Sequence, residues 1–432
     1  MGIETIAAIE TKIEQVEGVD TPPRPWPLPG RLAFRFWFCY LLIYNLPAPL
    51  TSITGFDADR LWFPLTTWVG KRFFHTTVDL TPSGSGDTTE EWLRLLCCLV
   101  VASALAVIWS VLGRRRPRYD RLYAGLRIYA RYVVAFALIS YGADKVIPAQ
   151  FSTPSLMTLQ EPIGDTSPMG LLWTFMGASS AYTVFAGSIE MVGGLLLTFR
   201  RTALLGSLVA IAALSNVVAL NLCYDVPVKL YSTDLLLMSV FVALPDASRL
   251  IDFFLRGRAT PAAAAPSTFR SRRMSIAVQI VKALIVIWAV ASSLIGSYHA
   301  RIDSRSDPRA PLYGQWNVEE WDVDGKAAPR VIGDSGQWKR LVIMGTGRAA
   351  VQDNADQWSW PVVKVGTSAL TLYPEDSDSM TFAYAKSSPK ELYLSGMVGD
   401  RRVQIKLRRQ VERDYLLVNR GFHWINEYPF DP

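Results

Sequence analysis

Charge is scarce in this chain. Of 432 residues only 19% are Asp, Glu, Lys or Arg, where a soluble domain usually carries about a quarter. There are only 4 cysteines, which excludes a disulfide-stapled scaffold, and Cys39, Cys97, Cys98 and Cys223 all lie in or beside apolar segments, where a free thiol behaves as a small hydrophobe. The 3 histidines, His75, His299 and His423, are far apart in sequence, so a histidine-based metal site has little support. There is no Gly-rich dinucleotide loop, no Gly-x4-Gly-Lys-Ser/Thr, no Gly-x-Ser-x-Gly and no His-Glu-x-x-His. The commonest nucleotide, serine-hydrolase and zinc-protease chemistries are thereby set aside. Cys97-Cys98 is vicinal and lacks the Cys-x-x-Cys redox spacing; it reads as two packed thiols. Residues 1–30 lack the basic start and apolar core of a cleaved signal, and Ile6 does not suit myristoylation. They read as a cytoplasmic tail.

What is abundant is apolar and aromatic: 50% hydrophobic residues, with 14 Trp and 17 Tyr. Amphipathic rings of this kind collect at bilayer interfaces. Seven apolar segments approach the ~17–25 residues that a helix needs to cross a hydrocarbon core. They are Ala33–Leu50, Trp92–Leu112, Leu122–Tyr141, Tyr182–Phe199, Ala203–Leu222, Leu230–Leu244 and Ile276–Ser297. Leu61–Phe74 and Met169–Met176 are aromatic-rich but too short or too polar to span, and read as interfacial or re-entrant helices on one side of the membrane. Arg114, Arg115, Arg116, Arg118 and Arg121 fill one loop, Arg200 and Arg201 the next on that side, and Arg249, Arg256, Arg258, Arg270, Arg272 and Arg273 the third. Positive loops stay inside, so the tail is expected in the cytoplasm and everything after the seventh span outside.

Residues 301–432 carry 18 Lys/Arg and 18 Asp/Glu, so the net charge of +6 belongs to the membrane half. That pattern suits anionic lipid and removes the case for nucleic acid. Thr260–Ser267 is low-complexity and reads as a flexible linker. Beyond residue 310 apolar and polar residues alternate, as in Val403, Ile405 and Leu407 or Met380, Phe382 and Tyr384. Similar runs at Gln315–Val323, Trp338–Met344, Ser368–Tyr373, Glu391–Leu394 and Tyr415–Val418 predict seven to nine strands in an up-and-down barrel. Gly314 and Trp316 resemble the opening of lipocalin-type barrels. The fold class expected is an α-helical membrane bundle of about seven transmembrane helices plus a C-terminal all-β, barrel-like extramembrane domain. Its divisions are a tail over 1–30, first helices over 31–118, a four-helix core over 119–250, a linker over 251–274, a last helix over 275–298 and the β-domain over 310–432.

Ionisable groups at span depth are costly, at ~2.5–3.5 kcal/mol even on lenient scales. Arg127 and Arg131 lie one turn apart on a single face, and Lys145 extends that stripe by five turns. Glu190 sits among Ala186, Gly187, Gly193 and Gly194, a smooth face that a neighbouring helix can approach closely. Asn216 adds a polar group in the next span. Two readings stand side by side: a structural ion pair of Glu190 with Arg127 or Arg131, or a polar cavity for a head group, a quinone or a proton path. A second set, Asp144, Lys145, Gln150, Asn221, Asp225, Lys229 and Asp234, gathers at the outer ends of the spans. The β-domain is tethered there by His299–Pro311, about a dozen residues that reach at most ~40 Å. A ligand or partner site between that domain and these loops is therefore expected. The aromatic tail Asn419–Phe430 is expected to pack on the barrel, the bundle or the interface.

The Arg-containing helix ending in Tyr141-Gly142 and Lys145, the run Glu190-x-x-Gly193-Gly194-x-x-Leu197, the turn Arg200-Arg201 and the segment Asn221…Asp225-Val226-Pro227 resemble the DoxX-like family of four-helix membrane proteins. The resemblance covers roughly residues 120–250. Members of that family include membrane subunits linked to quinone-dependent sulfur oxidation. The resemblance therefore implies quinone contact within an oxidoreductase complex as one expectation, with a redox protein partner. The membrane half is also similar in layout to the horizontally transferred transmembrane domain of vitamin K-dependent carboxylases, with no motif that carries catalytic residues across. Two extra N-terminal spans, a seventh span and the outer β-domain depart from a minimal DoxX protein. With no flavin, haem or metal signature of its own, the chain is expected to be a scaffold or binding protein. Its outer domain would engage an extracytoplasmic partner or a small apolar ligand.

Overall fold

Every apolar stretch that the sequence offers as a span folds as a helix. The computed structural model describes residues 25–46, 58–79, 84–260, 271–303, 311–345, 347–375 and 378–428. In chain order the helices are α1 (Leu28–Asn45), α2 (Phe63–Val69, running into a π-turn at Gly70–Phe74), α3 (Thr89–Leu112), α4 (Asp120–Val146), α5 (Pro168–Ala178), α6 (Ser180–Thr198), α7 (Ala203–Cys223), α8 (Lys229–Ala243), α9 (Ala247–Phe254) and α10 (Arg272–Asp303). Among the described residues five of them, α3, α4, α6, α7 and α10, are long and apolar enough to cross a membrane. That is compatible with a membrane protein. The two other expected spans are helical but fall short. α8 has 15 residues, and α1 carries Arg31 and Arg35 among its 18. The expected tail up to residue 24, residues 47–50 of the first segment, the linker from 261 to 267 and residues 304–310 lie outside the described residues.

Local chemistry sets the helix ends. Thr88 accepts from the Glu91 N–H at 3.3 Å, Ser167 from Gly170 at 3.0 Å and Ser179 from Tyr182 at 3.3 Å, each satisfying a donor that a helix start leaves open. α8 is capped from afar: the Asp87 carboxylate accepts from the backbone N–H groups of Lys229 at 2.8 Å and Leu230 at 3.0 Å. The chain divides into two compact units, Met1–Val134 with Pro227–Ser248 and Ala135–Val226 with Arg249–Pro432.

The C-terminal part of the second unit is an antiparallel half-barrel. Its strands are β1 (Gly314–Val323), β2 (Lys326–Ala327), β3 (Trp338–Ile343), β4 (Ala349–Asp353), β5 (Trp358–Ser359), β6 (Val362–Val365), β7 (Ala369–Tyr373), β8 (Met380–Ser388), β9 (Glu391–Val398) and β10 (Arg401–Gln410). The order across the sheet is β5-β4-β3-β1-β10-β9-β8-β7-β6, with β2 paired to β1. Apart from β2 and β3, chain neighbours pair throughout except where β5 passes into β6. There the sheet curls round, and an isolated bridge joins Arg348 to Val362. Trp316, Trp338, Leu341, Leu370, Phe382 and Ile405 belong to the filled interior.

Two expectations for this domain need correction. The described residues hold ten strands rather than seven to nine, because β2, β4, β5 and β6 were not legible. β4 (Ala-Ala-Val-Gln-Asp) is buried on both faces, so its sequence carries no alternation. Tyr415–Val418, expected as a strand, contributes instead to the helical turn α11 (Leu416–Asn419). The Asp414 carboxylate accepts from the Val411 N–H at 2.9 Å and folds the chain away from the sheet. Among the described residues, none of the aromatic tail belongs to the interior of the barrel. Phe422, Trp424, Ile425 and Tyr428 are exposed, and Pro429 and Phe430 lie outside the described residues.

Candidate functional site

Glycines bring α4, α6 and α7 together. A Cβ on Gly187 would lie 2.5 Å from the Lys145 Cβ and 2.7 Å from the Gly142 carbonyl oxygen, and one on Gly194 would lie 2.7 Å from the Ala135 carbonyl oxygen. Gly206 of α7 would clash in the same way, at 2.6 Å from the Leu197 nitrogen. The small-residue face read around Glu190 is therefore a contact face, as its composition suggested. The partner of Glu190 differs from the expectation. Lys145, not Arg127 or Arg131, donates to its carboxylate at 2.8 Å. The cause is the register. Gly187 rests on the Lys145 stem, and the lysine runs one turn along α6 to Glu190, burying its methylenes on the way. Both groups are buried, and the Tyr141 ring centroid lies 5.7 Å from the ammonium.

Next to this pair, Ser297 of α10 donates to the Asp144 carboxylate at 2.6 Å, and the Asp144 carbonyl accepts from Ala149 at 3.0 Å and Gln150 at 3.1 Å. The Gln150 side-chain amide oxygen, Oε1, is buried without a hydrogen bond among the described residues. Asn221 is buried, while Asn216 lies on an exposed face and does not join the Glu190 pair. Asp225 is exposed and takes a positive φ of 52°, ending α7 in a tight turn.

Lys229 and Asp234 belong to the other unit. Lys229 approaches Asp87 at 3.6 Å. Asp234, buried one turn into α8, accepts from the Tyr40 hydroxyl at 3.3 Å, with the Asn45 amide beside it. Among the described residues its second carboxylate oxygen is buried without a hydrogen bond, and so is the Tyr129 hydroxyl. Tyr40 stacks on Phe36 and Tyr44 at 6.2 and 5.6 Å. Arg127 pairs with Asp246 at 2.8 Å and donates to the Val242 carbonyl at 2.8 Å, while the Arg131 Nε is buried without a hydrogen bond among the described residues. Sequence reasoning missed Arg35. It is buried in α1, donating to the Tyr119 hydroxyl at 2.8 Å and the Gly113 carbonyl at 3.1 Å. The rule that flagged Arg127, a charge inside an apolar run, also covers Arg35. Tyr40, Tyr129, Asp87 and Asp246 were missed as well, because their partners are distant in sequence.

In the second unit the half-barrel shares a core with the loop between α4 and α5. Leu156 of that loop packs with Tyr313, Val342 and Ala350, flanked by Met157, Trp358 and Tyr415. These contacts cover the outer face of β3 and β4, which explains why β4 is buried on both sides. Gln160 of the loop hydrogen-bonds Tyr415, whose hydroxyl donates to Gln315 at 2.7 Å. Tyr313 donates to Glu412, and the Tyr313 carbonyl accepts from Arg409 at 2.9 Å. Burial and the neighbouring Glu412 carboxylate hold the Tyr313 phenol above its ordinary range, and burial does the same for Tyr415. Among the described residues no three His, Cys, Asp or Glu are placed to hold a metal ion.

No protein-family model matches the chain, and no solved structure matches it. A protein of Bacillus subtilis (strain 168), described as the uncharacterized protein YwoB, is 31% identical over 124 residues, which are 29% of this chain and 79% of that protein. With four-fifths of that relative covered at this identity, the chain belongs to the YwoB family.

Proposed function

We propose that the protein is a multi-pass membrane scaffold or binding protein of DoxX-like type. In this reading it has seven spans, a cytoplasmic N-terminus and an extracytoplasmic half-barrel that engages a protein partner. The carrying observation is the shared core of Leu156, Tyr313, Val342 and Ala350. It roots the half-barrel on a loop between candidate spans, as a module presented at a fixed place needs. A filled interior favours a partner met on the outside of the barrel over a small apolar ligand held within it. The test compares proteins co-isolated with the full chain and with a chain ending at residue 310, from the same membranes. The reading expects a partner retained by the first and lost from the second, and weakened by Leu156→Asp. Equal recovery by both chains would sink it.

A second reading, a quinone-contacting subunit of an oxidoreductase, is favoured by one observation. Among the described residues the Tyr129 hydroxyl and one Asp234 oxygen are buried without hydrogen bonds, and buried polar groups in that state are costly. A quinone head, with two carbonyl oxygens and an apolar ring, fits a phenol donor, a buried carboxyl group and the stacked rings of Phe36, Tyr40 and Tyr44. When bound it would supply two-electron redox chemistry, with Asp234 holding or passing a proton. Solvent extraction of the detergent-purified protein separates the readings. A stoichiometric quinone that is lost in Asp234→Asn supports the second, and its absence leaves the first.

A further inference from the structure

Six apolar side chains leave the half-barrel uncovered. After β10 the chain makes the single turn of α11 and runs on to Tyr428. Leu416 and Leu417 are exposed, and Phe422, Trp424, Ile425 and Tyr428 are 76%, 91%, 77% and 82% exposed. The segment has a definite shape. Gly421 turns it at φ 67°, a conformation that other residues rarely adopt. Arg420 donates to the Asn426 side chain at 2.9 Å and meets the His423 ring. Phe422 and Trp424 stand edge to face, centroids 4.9 Å apart. The polar groups bond to one another while the rings remain outside.

The root of this segment is fixed. Tyr415 is hydrogen-bonded to Gln160, and Leu156 of the same loop lies in the core shared with the half-barrel. That loop joins α4 to α5 and leads on to α6, and both α4 and α6 are candidate spans. A chain that links two successive spans lies at a membrane surface. The loop has its own exposed apolar groups, Ile163 before α5 and Leu171 and Phe175 on it. From Tyr415 to Tyr428 is 13 residues, a reach of at most ~45 Å, so the tail stays beside that surface. Rings with polar tips are the side chains that settle in the headgroup zone, and an arginine among them suits lipid phosphate.

We infer that residues 416–428 are an interfacial anchor. Phe422, Trp424, Ile425 and Tyr428 enter the headgroup zone of the bilayer next to the α4–α5 loop and fasten the half-barrel to the lipid surface. The inference rests on α4 and α6 crossing the membrane. The barrel interior is filled by other residues, so it does not compete for these side chains.

The experiment uses the full chain with Cys39, Cys97, Cys98 and Cys223 replaced by Ala and a single Trp424→Cys labelled with an environment-sensitive NBD group. A second preparation carries the label at Asp400→Cys, on the exposed β9–β10 turn. Both are reconstituted into phosphatidylcholine–phosphatidylglycerol vesicles, and carbonate washing checks that the chain is membrane-integral. The 424 label is expected to be quenched by lipids spin-labelled near the headgroup at least twofold more than the 400 label, and to resist aqueous iodide. Equal iodide access at both positions in a carbonate-resistant preparation would overturn the anchor and leave the spans standing. Shielding from iodide without lipid quenching would overturn it too, since a protein surface then covers the tail. Release of the whole chain by carbonate would remove the span reading and the anchor together.

Discussion

Lys145 and Glu190 meet at 2.8 Å, one helical turn from the point where Gly187 leaves no room for a Cβ against α4. The pair and the glycine contact are one device. The close approach puts the lysine stem on α6, and the salt bridge then satisfies the two charges that this approach buries. An ion pair so enclosed is expensive to halve and cheap to replace whole.

Glu190→Gln leaves a buried ammonium without its counter-charge and should cost ~3–5 kcal/mol. The double change Lys145→Met with Glu190→Leu should recover most of that loss. Thermal unfolding of the detergent-purified proteins reads both, and a double variant as unstable as the single one would contradict the pairing.

Two glycines of α4 and α6 should respond with opposite signs. Gly187→Ala places a methyl group where backbone already stands and should lose ~1–3 kcal/mol by overpacking. Nothing lies within 4 Å of a Cβ at Gly125, so Gly125→Ala should be neutral or gain up to ~1 kcal/mol through helix propensity. Matched unfolding curves for the two variants would contradict the close helix contact.

Asp87 caps a helix that begins 142 residues later. Asp87→Ala should cost ~0.5–2 kcal/mol, with the amides of Lys229 and Leu230 exchanging faster while those in the middle of α8 keep their rates. Hydrogen exchange read by mass spectrometry tests this, and unchanged exchange at the start of α8 would refute it.

The seat of the half-barrel should fail at high pH. Tyr313 and Tyr415 both have phenols raised above the ordinary value of ~10. A group whose folded pKa is raised contributes stability that is fully present below the unfolded value and is lost as pH rises through the folded one. Loss should therefore begin near pH ~10 and deepen above it. Phenolate absorbance should show these two tyrosines titrating late, together with domain release. In Tyr313→Phe and Tyr415→Phe the late component should shrink by one tyrosine each, and early titration of both in the intact protein would count against the buried geometry.

The helices were legible because an apolar run of span length has few other fates. The glycine face around Glu190 was legible for a similar reason: four small residues on one side of a helix call for a close neighbour. The choice of partner was not. Arg127, Arg131 and Lys145 lie on one stripe of α4, and only the axial offset of α6, set where Gly187 meets Gly142, selects Lys145. Arg127 had an acid nearby that sequence reading passed over, Asp246, because it lies in a short turn after α8. Tyr40 and Asp234 are 194 residues apart, and no local pattern joins them. β4 was invisible for a packing reason, since a strand covered on one face by the barrel core and on the other by Leu156 has no polar side to alternate with.

The rims of the half-barrel limit how other chains can join it. β5 offers two residues and β6 four, and where the rims meet the backbone is already engaged. Arg348 bridges Val362, Ala349 donates to the Pro361 carbonyl at 2.9 Å, and Val363 donates to that of Gly347 at 2.9 Å. A foreign strand seeking a sheet edge to extend finds almost no free N–H or C=O ladder there. The domain is thus poorly suited to strand-by-strand polymerisation, and a chain that binds it has to be recognised by side chains, one residue at a time.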